Sequence, residues 1–316
     1  MQKYENIPVR DMKLDDAVEG FYLMKNPSPK TTQSGKDYLV FNLSDATGEI
    51  EAKLWDYAGD LHTKCNGKPV KVRGNITEYN GKKQLTAVLL RESRSDDQID
   101  LTKLVPVAPI DPQQTLSQMV DILDSVQDEG YKKICFAVLD RYKDVYCCIP
   151  AAKQVHHAFR YGLLMHSFYM LCHADHMAHM YTFLNRDLLI TGTFCHDIGK
   201  IKEFQFSEMG LVNDYSIPGQ LLGHLYMGAK EVSEIAESLG ISEEKSMLLQ
   251  HMLLSHHGKP EYGACVVPKT AEALILHMID DLDGKMEVYR ETIEKSEPNR
   301  MTDRVWPLDT KVYIHN

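Results

Sequence analysis

The hydrophobic pattern of this chain changes period once, and that change constrains the fold more than any other feature. Residues 17–92 carry short apolar runs, and Glu49–Trp55 alternates strictly between polar and apolar side chains over most of its length. From Gln113 onward the apolar residues recur at steps of three and four: Leu116, Met119, Val120, Leu123, Val126. A period near two puts alternate residues on the two faces of a strand, and a period near 3.6 puts them on one stripe of a helix. Pro106, Pro109 and Pro112 stand between the two regimes and break helix propagation. A chain of 316 residues holds about two domains. The pattern therefore predicts two: an all-β domain over residues 1–100, a Pro-rich linker over 101–112 and an all-α domain over 113–316.

The β half divides into five runs: Ala17–Lys25, Asp37–Leu43, Glu49–Trp55, Pro69–Thr77 and Lys83–Leu90. Pro27-Ser28-Pro29, Ala46-Thr47-Gly48 and Asn80-Gly81 supply turn residues, and Asn-Gly between two apolar runs is a strong hairpin signal. With a helical-looking Tyr57–Cys65 between runs three and four, the order fits an OB-fold barrel. The stretch Tyr38–Trp55 resembles nucleic-acid-binding OB domains of the anticodon-binding type. Such a module stacks bases on aromatics beside a basic groove. Tyr22, Tyr38, Phe41, Trp55 and Tyr79 are the aromatic candidates, and Lys64, Lys68, Lys71, Arg73, Lys82 and Lys83 the basic ones. Tyr38, Phe41, Trp55, Lys71, Arg73 and Lys82 are the expected nucleic-acid contacts. In a small barrel about half of such residues point inward and only pack.

The α half carries an ordered set of metal-binding side chains. His196-Asp197 sits in FCHDIGKIKEF, with His166 upstream and His224, His256, His257 and Asp280 downstream, each inside a helical stretch. Helical runs are expected near 131–142, 151–159, 162–183, 187–197, 220–239, 242–256 and 269–293, and in the tail. A lone His-Asp dipeptide arises by chance in many chains. The order and flanks make this one specific, and they resemble the HD-domain metal-dependent phosphohydrolases. Imidazole and carboxylate suit divalent first-row metals and hydrolytic chemistry. One metal would take His166, His196, Asp197 and Asp280. A second would take His224, His256 and His257, with Asp197 as bridge. Lys200, one helical turn beyond Asp197, could contact a phosphate oxygen. It could equally be a plain cation favouring a helix C-terminus. His173, His176, His179 and His251 are set aside as surface residues, and His277 as a packed neighbour. Asp281 competes with Asp280, and Asp283 falls one turn on as a supporting carboxylate.

From about residue 10 to 315 the chain is similar to the YhaM-type 3′-to-5′ exoribonucleases. The residues that carry the match are His156-His157, Gly162–His166, His196–Lys200, Gly219–His224, Ser255–Gly258 with Glu261–Gly263, and Ile279–Asp283. Tyr161 and Met165 depart from the family's usual Gly and Glu. The resemblance implies a divalent cofactor, usually manganese, here two ions, and a single-stranded RNA substrate, with single-stranded DNA a further one. It also offers His156 and His157 as substrate contacts, with packing at a helix start as the equal alternative.

Composition bounds the alternatives. Seven cysteines without a C-x-x-C pair read as reduced thiols rather than a disulfide framework. No signal-peptide core is visible at the N-terminus, and no apolar run reaches the ~20 residues of a membrane helix. The reading is a cytoplasmic protein without a membrane partner, with homo-oligomerisation left open. The formal net charge of −10 argues against bulk nucleic-acid affinity, but residues 1–100 are close to neutral and the acidic excess lies beyond them. No Walker or Rossmann glycine motif is present. The competing readings are a phosphodiesterase or nucleotidase acting on small nucleotides, and a single-strand-binding adaptor without catalysis.

Overall fold

The computed structural model describes residues 6–100, 103–152, 159–206 and 210–316. His156 and His157 lie outside them. The chain divides into two compact units, the first ending at Val107 and taking in Leu211, the second formed by Ala108–Phe206 and Val212–Asn316. No helix among the described residues is long and apolar enough to cross a membrane.

The first unit is a closed five-stranded barrel in the order β1-β2-β3-β5-β4, an OB-fold. Its strands are β1 (Ala17–Thr31), β2 (Asp37–Asp45), β3 (Gly48–Trp55), β4 (Pro69–Tyr79) and β5 (Lys82–Glu92), with a one-turn helix α1 (Leu61–Lys64) before β4. Only these four residues of the expected Tyr57–Cys65 helix are helical. Alternate residues fill the interior: Val18, Tyr22 and Met24 from β1, Leu39, Phe41 and Leu43 from β2, and Val70, Val72 and Ile76 from β4. Full burial of one such side chain is worth about 1.5–3 kcal/mol. Pro27-Ser28-Pro29 does not end a strand. It sits where the β1–β2 register shifts between Lys25 and Ser28, so β1 bends at a bulge and continues to Thr31. Asn80 and Gly81 both take positive φ, 52° and 75°, as a two-residue hairpin requires.

Two aromatic expectations fail here for one reason. Phe41 and Tyr22 are each 1% exposed, because strand register assigns them to the inner face. Tyr22 donates from its hydroxyl to Ile7 O at 2.6 Å, satisfying its one polar group inside. Neither can stack on a base. At the end of this unit, Leu104 and Val105 pack with Leu23 in a small apolar cluster.

The second unit is helical: α2 (Pro112–Asp124), α3 (Glu129–Tyr146), α4 (Gly162–Met180), α5 (Arg186–Cys195), α6 (Lys200–Glu203), α7 (Ile217–Ser238), α8 (Glu243–Ser255) and α9 (Ala271–Lys295). Asp111 caps α2 by accepting from Gln113 and Gln114 N, with Pro112 at the first helical position where no N–H is needed. Asp128, Asn185, Ser216 and Thr270 cap α3, α5, α7 and α9 in the same way. The apolar stripes of these helices meet in one large core. Two hairpins escaped the helical reading. β6 (Phe204–Phe206) pairs with β7 (Val212–Tyr215), and the tail forms β8 (Arg300–Val305) and β9 (Thr310–Ile314) rather than a helix. Its pattern has period two: Val312 and Ile314 are buried while Lys311 and Tyr313 are exposed.

Candidate metal centre

The ends of helices build the site. His166 lies in the first turns of α4, His196 and His256 directly follow α5 and α8, and Asp280 lies within α9. His224 is placed by a break. Gly223 interrupts α7 with φ 69° and ψ 158°, a conformation that favours glycine, and the helix restarts at His224. Glu203 Oε1 accepts from His224 N and from His224 Nδ1, both at 3.0 Å, and so caps the restarted segment and orients the ring together. Gly199, in the HDIGK run, keeps α7 close: a methyl there would lie 2.1 Å from His224 O.

All five imidazoles use Nδ1 in the same way. His166 Nδ1 donates to Asp283 Oδ2 at 2.7 Å, and His224 Nδ1 to Glu203. His196 Nδ1 donates to Thr193 O and His256 Nδ1 to Leu253 O, both at 2.7 Å, and His257 Nδ1 to Tyr262 O at 3.0 Å. A neutral imidazole that donates from Nδ1 carries its lone pair on Nε2. The backbone and two buried carboxylates therefore aim all five Nε2 atoms, and each ring that is neutral carries its lone pair there.

These atoms converge in two groups. The ligand atoms of His166, His196 and Asp197 lie within 4.8 Å of one another, as do those of His224, His256 and His257. Asp197 stands between them. Its Oδ2 is 3.3 Å from His196 Nε2, and its Oδ1 is 3.7 Å from His224 Nε2 and 3.9 Å from His256 Nε2. Asp280 Oδ1 is 3.4 Å from His166 Nε2, whereas Asp281 turns out to Lys285. Lys200 Nζ donates to Asp197 Oδ2 at 2.7 Å, which aims its charge into the centre. Asp197 Oδ1, His224 Nε2 and His256 Nε2 are buried without a hydrogen-bond partner. A buried polar atom left unpaired costs about 1–3 kcal/mol. Three acceptors facing one another, with no donor among them, fit divalent cations.

The electrostatics differ between the groups. Burial opposes a charge on His166, but Asp280 and Asp283 outweigh it and push its pKa up to about 10. Burial would raise Asp197, yet the Lys200 ammonium and the His196 and His224 rings hold it well below the carboxylate range. Burial, then the neighbouring His196, drives His256 well down, and burial with His224 lowers His257. His256 and His257 are thereby held neutral, as metal binding requires.

Residues 163–285 match the HD domain family. A protein named 3′-5′ exoribonuclease YhaM from Oceanobacillus iheyensis is 34% identical over 302 residues, covering 95% of this chain and 94% of its own. Its namesake from Geobacillus sp. (strain WCH70) is 36% identical over 303 residues, with 95% and 92% covered. The chain belongs to the YhaM 3′-5′ exoribonuclease family.

Glu203 is the residue of this YhaM-family centre that the sequence did not reveal. Its partner His224 is 21 residues away across the β6–β7 hairpin, and only the fold brings them together. His173, His176 and His179 lie exposed on α4. His251 accepts from Lys269 N, and His277 donates to His256 O at 2.9 Å.

On the barrel, Tyr38 and Trp55 are cross-strand partners with rings stacked at 4.9 Å. Tyr38, Tyr79, Lys30, Lys53 and Lys82 line a groove of about 800 Å³ between the β1–β2 and β4–β5 turns. Lys53 Nζ sits 4.7 Å over the Tyr79 ring. This is the face with which OB barrels bind oligonucleotides. Lys71 and Arg73 do not line it. They share Glu19, at 3.1 Å and 2.6 Å, on the outer face of β4. Tyr79 and Lys53 belong to the groove although the expected contacts omitted them.

Proposed function

We propose that this chain hydrolyses single-stranded RNA from the 3′ end with two divalent cations, manganese by preference. The observation that carries the reading is the convergence of four Nε2 atoms, those of His166, His196, His224 and His256, within 3.9 Å of the two oxygens of Asp197, with His257 beside His224 and His256. His166, His196, Asp197 and Asp280 would hold one cation; His224, His256 and His257 would hold the other, with Asp197 shared. Two such cations supply Lewis acidity and lower the pKa of water toward neutrality. Asp283 and Glu203 fix the rings of His166 and His224, which keeps those nitrogens aimed as charge develops. Lys200 brings a fixed positive charge beside Asp197 for a phosphate oxygen.

The barrel feeds the strand. Tyr38, Trp55 and Tyr79 offer ring faces, and Lys30, Lys53 and Lys82 offer phosphate contacts. Ring stacking and phosphate contact do not discriminate the sugar, so single-stranded DNA is the expected second substrate. The test is incubation of 5′-labelled single-stranded RNA with purified protein and Mn²⁺. A ladder of products shortened from the 3′ end is expected. Intact RNA, or internal cuts alone, would overturn the reading.

A further inference from the structure

The tail hairpin puts a tryptophan at the mouth of the metal centre. A cavity of about 370 Å³ in the second unit is lined by His256, His257, Asp280 and Tyr262 and, from the β8–β9 turn, by Trp306 and Pro307. Asp280, Gly284 and Val288 line it too; spaced four residues apart, they form one face of α9, so the cavity runs along that helix away from the carboxylate. The turn packs on α9, and Val312 and Ile314 anchor the hairpin by burial.

Nothing in the turn itself requires an indole. Its geometry rests on Pro307 and on Asp309, which takes φ 54° and accepts from Arg304. Trp306 is 82% exposed, so it adds almost nothing to a core. Tyr262, 62% exposed, also lines the cavity. A large aromatic left in water beside a catalytic cavity is the residue type that carries binding energy. Every nucleobase has a π-face, so stacking there is sequence-tolerant, as an exonuclease that meets every base in turn needs.

We propose that Trp306 is the stacking platform for the base of the 3′-terminal nucleotide whose phosphate faces Asp280 and His257. This rests on the exoribonuclease reading and adds to it the residue that seats the end of the strand. Trp306 acts through binding, so its loss should fall on KM for the terminal nucleotide and leave the phosphate chemistry in place.

The experiment compares the full chain with Trp306→Ala and Trp306→Phe on two 5′-labelled RNAs, one ordinary and one with an abasic 3′-terminal nucleotide. Circular dichroism and thermal unfolding check each fold. On the ordinary strand Trp306→Ala should raise KM about ten-fold, in line with the loss of one base–aromatic stack, and Trp306→Phe should recover most of it. On the abasic strand the variants and the wild type should agree within about two-fold, because no base remains to stack. Equal losses on both strands, or no loss on the ordinary one, would overturn the proposal. If the wild type cut neither strand, the nuclease reading would fail, and Trp306 would be read separately. The sequence has two tryptophans. In a Trp55→Phe background, emission comes from Trp306 alone, and a 5′-mononucleotide should quench it. Unchanged emission would sink the assignment.

Discussion

The two units place chemistry on opposite sides of their cores. The barrel hides an almost wholly apolar interior and carries its candidate contacts outside, on Tyr38, Trp55 and Tyr79. The helical unit does the reverse: His166, His196, Asp197 and His256 are among its most buried side chains. A surface site can lose a residue without disturbing the fold. A buried site cannot be separated from its supporting hydrogen bonds, because each imidazole is aimed by a backbone carbonyl or a buried carboxylate. The barrel should therefore separate stability from binding, and the helical unit should couple its ligands tightly.

Asp197→Ala breaks the comparison at its strongest point. It removes the carboxylate whose two oxygens face the two histidine groups, so hydrolysis of single-stranded RNA should fall below detection and metal analysis should show both equivalents lost. A folded variant with near wild-type turnover would mean the centre is elsewhere. Next in size is Phe41→Ala in the barrel core, expected to cost about 3–5 kcal/mol in denaturant unfolding of that unit. A cost inside the ordinary surface range of about 0.5 kcal/mol would show that Phe41 is not core.

Glu203→Gln keeps volume but weakens the acceptor that His224 uses twice. Metal affinity or activity should drop about 10–100-fold, the usual effect of losing a residue that orients a ligand. Unchanged affinity by calorimetry would show that the Gly223 break alone positions His224. Trp55→Ala sharpens the contrast from the other side. Binding of long single strands should weaken by about 1–3 kcal/mol with little change in stability. The mirror result, lost stability with unchanged binding, would make the Tyr38–Trp55 stack a structural device. Smallest is Lys82→Ala, which should reduce the slope of log affinity against log salt by about 1. An unchanged slope would remove the groove from the phosphate path.

The candidate ligand set was legible in the sequence because metal coordination demands particular side chains. His166, His196, Asp197, His224, His256, His257 and Asp280 could be named from their types, order and flanks, and all seven meet. Asp280 was chosen over Asp281 on the family pattern, and the structure turns the two apart: Asp280 meets His166, and Asp281 meets Lys285. The barrel's contacts were half legible. Phe41 and Trp55 are both aromatic and lie on neighbouring strands, and composition cannot tell them apart. Strand register sends one inward and the other out.

What the sequence alone determined was the architecture and the chemistry: two periods, hence a barrel and a helical unit, and a donor set suited to divalent cations. What only the tertiary structure decided was direction. Glu203 reaches His224 because the β6–β7 hairpin folds back and Gly223 breaks α7. The tail became a hairpin with Val312 and Ile314 buried on one face of β9, and that carried Trp306 to the cavity. Residue type is written locally, but the face a side chain presents, and the atom it leaves unpaired, depend on contacts dozens of residues away.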